Sequence, residues 1–416
     1  MNKIKEVWRS LTWSFDPKDK IEATKATSKN FWLHWFPARI TYKSMSWTYS
    51  FWLGTVLFSL FLILTITGVI LMFLYIPSAE RAYWTIKDLE NSVSFGWFLR
   101  NAHRWAAHLM VTTVFLHMMR VFFTGAYKNG GNPESNRPLN WIVGVILLVL
   151  TLGLSYTGYL LPWDQLALWA IVIGANIAKS VPPESIVGKN LYFFLAGGTE
   201  IDQPTLIRFY VLHCIFLPLL LLILSSYHMW RVRKDGGLAV SEQYKIEAKK
   251  LNKRLIQDEY TTFTIPFMFR RAFLVFLITT AIVLFFTIFA KAPLEEPADP
   301  TWTPNPAKAP WYLLWIQELI AITTIKIGDF TINGGFIGGA LIPALLFFLW
   351  AIWPYLDKSP DEATGIWFHR SRIIHNIIFA IIMLYLIGIT IFAMYFRGPY
   401  WQVYWPWRWP EMPHMF

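Results

Sequence analysis

Residues 101–124, NAHRWAAHLMVTTVFLHMMRVFFT, are apolar enough to cross a bilayer as a helix, yet they carry His103, His108 and His117. Imidazoles facing lipid are costly, so such a helix has to turn them towards the inside of a bundle. A helix advances ~100° per residue, and the 14 residues between His103 and His117 leave those two only ~40° apart in azimuth. Along the axis they stand ~21 Å apart, most of a ~30 Å hydrocarbon core. A second apolar run, residues 205–232, repeats the arrangement with His213 and His228, 15 residues apart. One buried histidine is ordinarily a packed, hydrogen-bonded side chain. Four at matched depths on two parallel spans point instead to two bis-histidine metal sites. His108 lies ~140° round the helix from His103 and is read as a non-ligand.

Only 15% of the 416 residues are charged, against 55% hydrophobic and 18% aromatic. Soluble domains carry about 25% charged residues, so the fold class is all-α and polytopic, with a four-helix site-bearing bundle. The formal charge of +11 does not argue for nucleic acid, because Lys and Arg collect in alternate loops. The single cysteine, Cys214, excludes intrachain disulfides, a Cys-x-x-Cys-His covalent haem and a cysteine-ligated iron–sulfur cluster. No cleaved signal peptide is visible, since the first apolar run follows a long polar and basic stretch.

Seven spans are expected, at about residues 49–74, 101–124, 139–161, 205–232, 272–290, 337–353 and 372–395. An interfacial arm (1–46), with an amphipathic MNKIKEVWRSLTW, precedes a four-helix domain (47–233). A hydrophilic linker (234–262) leads to a three-helix domain (263–416) with a Trp- and Tyr-rich tail. Residues 162–198 read as short helices on the membrane surface, broken by Pro182, Pro183, Gly197 and Gly198. With seven spans, the arm and the loops after spans two, four and six share a side. They hold most of the 37 Lys and Arg, which makes that side, and the N-terminus, cytoplasmic. His103 then sits level with His213 on the outer side, and His117 with His228 on the inner side.

Two imidazoles per level suit haem iron held on both axial sides, as in an electron carrier. Zinc would need a third or fourth ligand. Gly54 and Gly68 in the first run, and Gly144 and Gly158 in the third, repeat the 14-residue interval. They let helices without ligands bring bare backbone to both haem levels. Arg100, Arg104 and Arg208 near the outer pair, and Arg120, Arg231 and Arg233 near the inner pair, are candidates to meet haem propionates.

The strings HRW, LHMMRV, LIRFYVLHCIFLP, TGYLLPWDQ and EPADP…TP…PWY together resemble cytochrome b of the quinol-oxidising Rieske/cytochrome b complexes. The resemblance runs from about Trp47 to the end of the sixth run. Its 14- and 15-residue histidine spacings are those of the chloroplast type, and the part after the linker resembles subunit IV, here fused and extended by one span. The resemblance implies two b haems, at His103/His213 and His117/His228. It implies an outer quinol-oxidation pocket formed by Gly158 to Asp164, with Tyr159, Pro162, Trp163 and Asp164, and by Trp311 and Tyr312. It further implies a quinone-reduction pocket near the inner haem, with Arg233 as a contact. Partners implied are a Rieske iron–sulfur protein, a c-type cytochrome and a second copy of the complex, in a prokaryotic plasma membrane. Two departures stand out. The family's Pro-Glu-Trp-Tyr motif reads Ala309-Pro310-Trp311-Tyr312, and Trp52 occupies the position of the cysteine that holds an extra covalent haem.

Quinol oxidation releases two electrons and two protons, so with the glutamate missing some other group has to take a proton. Glu318, six residues after Tyr312, is the expected substitute, with Tyr312 and Asp164, or water alone, next. The missing glutamate and the fusion lean towards menaquinol. Two other classes fit parts of the pattern: a membrane haem anchor of a quinone-linked dehydrogenase, and a transporter with midplane histidines.

Overall fold

The computed structural model describes residues 19–29, 36–132, 134–238, 261–328 and 330–408. Among them seven helices are long and apolar enough to cross a membrane: Leu53–Leu74, Gly96–Phe123, Arg137–Tyr159, Gln203–Lys234, Thr264–Phe289, Gly334–Leu356 and Arg370–Tyr395. They are numbered as spans one to seven. Each coincides with one of the seven apolar runs, and the ends differ by a turn or two where capping extends the helix. Asn136 accepts from the Leu139 amide, with Pro138 in the first turn, and starts span three earlier than hydropathy alone suggests. Asp202 and Thr205 form a reciprocal capping box at the start of span four, again with a proline, Pro204, in the first turn. Expectations for residues 1–13, most of the hydrophilic linker and residues 409–416 fall outside the described residues.

Spans one to four form a bundle whose site lies between them. Spans six and seven pack against spans two and three: Phe122 stacks on Phe379 with centroids 3.8 Å apart, and the Trp141 indole donates to the Trp350 carbonyl at 2.5 Å. In lipid such faces hold by dispersion and shape rather than by transfer from water. Apolar side chains such as Phe273, Phe285, Ile374 and Leu384 remain exposed on spans five and seven, as a lipid-facing surface requires.

Span five is pinned to span two through polar contacts. The Asn101 amide donates to Thr287 O at 3.1 Å and accepts from the Ala292 amide at 3.0 Å, and the Trp105 indole donates to Ala290 O at 2.7 Å. At the other membrane face a two-stranded clip, Arg39–Thr41 antiparallel to Thr261–Phe263, ties the segment before span one to the start of span five. A second hairpin pairs Ile325–Ile327 with Phe330–Ile332. Neither is readable from periodicity, because three residues are too few to show an alternation.

The stretch between spans three and four contains the surface helix Gln165–Lys179 and the short helix Lys189–Ala196. Asp164 caps the first of these through the Ala167 amide at 2.9 Å. Its second oxygen accepts from Glu295 N at 3.2 Å. Gln165 then grips the Pro-rich segment: its amide donates to Asp299 O and Trp302 O, and its carbonyl accepts from Asp299 N at 2.7 Å. The two motifs that stand far apart in sequence, PWDQ and EPADP, are thus one hydrogen-bonded unit.

Candidate functional site: two facing histidine pairs and two cavities

His103 on span two faces His213 on span four with ring centroids 6.2 Å apart, and His117 faces His228 at 6.4 Å. Rings hydrogen-bonded to one another would be closer. Two metal–nitrogen bonds of ~2 Å, plus ~1 Å from each nitrogen to its ring centre, span ~6 Å, so each gap is the width that one metal between two imidazoles requires. Among the described residues no third His, Cys, Asp or Glu joins either pair. That leaves the positions around such a metal to a macrocycle rather than to protein. The residues present therefore fit bis-histidine haem.

The 15-residue interval has a structural cause. On a regular helix it would rotate His228 ~60° past His213, whereas 14 residues give ~40° the other way. A π-helical turn, Leu212–Phe216, lies at His213 and absorbs the extra residue. Both ligand helices consequently present their histidines with one offset.

The glycines face the histidines one to one. A Cβ added at Gly68 would lie 3.1 Å from His103 Cε1, and one at Gly158 only 2.4 Å from His213 Cε1. At Gly54 and Gly144 the nearest atoms are Cε1 of His117 at 3.7 Å and of His228 at 3.6 Å. Spans one and three are bare where spans two and four carry rings. Hydroxyls orient the outer pair: Thr67 Oγ1 lies 2.9 Å from His103 Nδ1, and Thr157 Oγ1 and Leu154 O lie 3.2 and 3.1 Å from His213 Nδ1. With Nδ1 engaged, Nε2 is the nitrogen left for a metal. Exchanging Gly158 for alanine is expected to push His213 aside and lower the pigment content towards one haem per chain, measured by the pyridine haemochrome absorbance.

The arginines divide. Arg104 keeps its Nε buried and without a hydrogen-bond partner, with its guanidinium 5.3 Å from the Tyr159 ring centre. Arg120 keeps one terminal nitrogen buried and unpartnered, while its Nε donates to Tyr49 O at 3.1 Å. These two are the candidates to meet an anionic group. The expectation for the others has to be corrected. Arg100 is spent on Glu90 and on the Ala292 and Pro293 carbonyls. Arg208 is exposed and donates to Phe193 O at 3.2 Å. Arg231 is bound to Asp235 and Asn136 O. Each spends donors on protein partners, which residue type and spacing do not reveal, although Arg231, like Arg104, keeps its Nε buried and without a hydrogen-bond partner.

A cavity with about 770 Å³ of empty space, open solvent included, lies beside the inner pair, lined by His117, His228, Arg120, Gly144 and, unforeseen, Arg137, Asn140 and Asp235. Val232 and Asp235 line it, whereas Arg233 between them does not. The usable signal was polarity at span ends: Asn140 and Asp235 are costly there unless they serve a site.

A second, largely apolar cavity, with about 780 Å³ of empty space including open solvent, lies between the Gln165–Lys179 helix, the Pro-rich segment and the Leu314–Thr323 helix. Its walls include Tyr156, Trp169, Ile173, Lys308, Pro310 and Ile320. The expected residues Tyr159, Pro162, Trp163, Asp164, Trp311 and Tyr312 come from the adjoining segments but are not in this wall. Trp163 and Asp164 hold the Pro-rich segment, Tyr312 donates to Ser155 O at 3.0 Å, and the Trp311 indole donates to His108 Nδ1 at 3.0 Å. His108 therefore anchors Trp311. Burial pushes the Asp164 carboxyl up, against its two backbone amide donors and the Arg104 and Arg100 charges.

Glu318 also needs correction as a free proton acceptor. It is 1% exposed, Arg397 holds both its oxygens at 2.6–3.1 Å, and the Trp401 indole donates to it at 3.0 Å. Both its oxygens are thus committed to a guanidinium and an indole N–H.

A family model described as "Cytochrome b/b6/petB" matches residues 39–236. Cytochrome b6 of Heliomicrobium gestii is 41% identical over 186 residues, 45% of this chain and 83% of that protein. Cytochrome b6 of Heliobacterium modesticaldum is 42% identical over 184 residues, 44% of this chain and 82% of that protein. A solved structure, "Hyperthermophilic respiratory Complex III", superposes with a TM-score of 0.68 at 29% identity, covering 83% of this chain and 84% of that one.

Proposed function

This chain belongs to the cytochrome b/b6 family, as a multi-pass membrane subunit of a quinol-oxidising cytochrome complex, and from that premise we propose that it is the di-haem conductor of that complex. The observation that carries the reading is the pair of histidine gaps, 6.2 and 6.4 Å, at two depths on spans two and four. His103 and His213 hold the outer haem, and His117 and His228 the inner one. Gly54, Gly68, Gly144 and Gly158 make room beside the rings, and Arg104 and Arg120 are placed for the propionates. When bound, the haems supply one-electron carriers at two membrane depths, as a Q cycle needs. The protein sets their ligation, spacing and surroundings.

The apolar cavity by Lys308 and Pro310 receives quinol on the outer side, and the inner cavity by Arg120, Asn140 and Asp235 receives quinone near the cytoplasm. Protons leave outside and enter inside, and each charge moved is worth ~2.3 kcal/mol per 100 mV. A Rieske iron–sulfur protein and a c-type cytochrome take the remaining electron, in a homodimeric complex of a prokaryotic plasma membrane with the N-terminus cytoplasmic. The four-helix part (47–233) carries the haems, and the fused three-helix part (263–416) completes the outer cavity. The substrate is menaquinol.

The test is anaerobic addition of a menaquinol to the purified complex, with its subunits identified by mass spectrometry. Rapid appearance of a reduced b-haem α-band together with a co-purifying Rieske protein is expected. Haem reduction without any iron–sulfur partner would make the chain a simple haem anchor, and no α-band would remove the redox role.

A further inference from the structure

Glu318 is held in its ion pair, and Pro310 stands where the family motif has its acid, so the outer cavity needs another protonatable group. Its wall is apolar apart from Tyr156, Lys308 and Gln317, together with the Trp169 indole, which donates to Trp302 O at 3.1 Å. Gln317 is engaged at both ends: it donates to Ala307 O at 2.7 Å and accepts from Ala309 N at 2.7 Å. The Tyr156 hydroxyl donates to Ala170 O at 3.0 Å. Lys308 is the one amine of the wall, two residues before Pro310. Its Nζ donates to Met394 O at 2.7 Å, in the last turn of span seven.

We propose that Lys308, in its neutral amine form, accepts the proton that quinol releases in this cavity. The proposal rests on the reading of the cavity as the quinol site. The quinol O–H bond breaks and an N–H bond forms on Nζ, giving an ammonium and a quinol anion. The anion's electrons go to the redox acceptors that quinol oxidation already requires. The ammonium stays bound to Met394 O, where the negative end of span seven stabilises it. Half-burial of Lys308 gives the proton a route to outer water. Burial alone pushes the amine down to about 8, so a usable neutral fraction exists in ordinary outer pH. On the elements around Lys308, Glu318 is paired with Arg397, Lys179 ends the Gln165–Lys179 helix, Glu295, Glu296 and Asp299 lie on the Pro-rich segment itself, and Tyr156 is the other titratable side chain in the wall.

The experiment is quinol-driven reduction of the holo-complex between pH 6 and 9.5, for the natural chain, Lys308→Arg, Lys308→Gln and Ile173→Trp, compared at equal b-haem content. The arginine keeps the cation and the bond to Met394 O, so a merely structural lysine would be replaced without loss. The natural chain is expected to speed up through pH about 8. Lys308→Arg and Lys308→Gln are expected to be slower by about 10²-fold and to lose that inflection. A Lys308→Arg profile identical to the natural one overturns the proposal while Ile173→Trp still blocks oxidation. If filling the cavity with Ile173→Trp leaves the rate untouched, the quinol reading of the cavity falls, and the lysine's role with it.

Discussion

Replacing His228 with leucine is expected to remove one of the two proposed b haems and leave the other in place, so that a redox titration of the α-band passes from two steps to one. The physical basis is separation. His228 shares its gap with His117 alone, and ~21 Å of helix lies between that level and His103/His213. A leucine fills a similar volume in the bundle but offers no nitrogen, so only His117 would remain at that level to hold a haem. His117→Leu should behave as His228→Leu does, whereas His103→Leu and His213→Leu should remove the other step. His108→Leu should remove neither, because that ring serves the Trp311 indole.

Exchange of Asp357 for asparagine should destabilise the folded chain by ~3–5 kcal/mol, the largest stability effect expected of a single polar residue here. Asp357 sits just past span six with its side chain fully buried, bonded to Arg372 at 2.9 Å and to the Tyr127 hydroxyl at 2.7 Å. Arg372 is likewise 0% exposed. Lys128 reaches the same carboxylate at 3.7 Å and His375 at 3.4 Å. The cluster joins the loop after span two to the ends of spans six and seven. Without the carboxylate a guanidinium is left buried and unneutralised. The double variant Asp357→Leu, Arg372→Met should recover much of the loss, since it removes both charges. Thermal unfolding in detergent, followed by haem release, measures both.

The same cluster has a pH signature. Burial pushes the Asp357 carboxyl up, but Ser359, Tyr127 and Arg372 outweigh it and hold the group well below the usual carboxylate range. A group lowered on folding stabilises fully above its unfolded value of ~4 and loses that contribution as pH falls towards the folded value. Acid should therefore loosen spans six and seven from the bundle, while neutral and alkaline pH leave this contribution intact.

What could be read from the residues alone was what depends on local composition and on regular spacing. The seven apolar runs announce seven helices because only helices and closed barrels satisfy the backbone in lipid, and runs of this length fit helices rather than barrel strands. The histidine and glycine intervals announce two levels because a helix converts residue number into depth and azimuth. What could not be read depends on partners distant in the chain. Arg100 and Arg104 look alike in sequence, yet one is spent on Glu90 and two carbonyls while the other keeps a buried nitrogen unpartnered. Glu318 reads as an available acid until Arg397, far along the chain, closes on it. Asp164 reads as chemistry and proves to be a cap and a clamp. The π-helical turn at His213 is invisible to a regular-helix projection, although the 15-residue interval was its trace.

The pyridine haemochrome assay of the purified chain, scaled to polypeptide by amino-acid analysis, counts the haems directly. Two b haems per chain are expected, falling to one when either member of a histidine pair is exchanged for leucine. A ratio of one or none in the natural chain, or a ratio that stays at two in His117→Leu or His213→Leu, would contradict the assignment of the two gaps as haem sites.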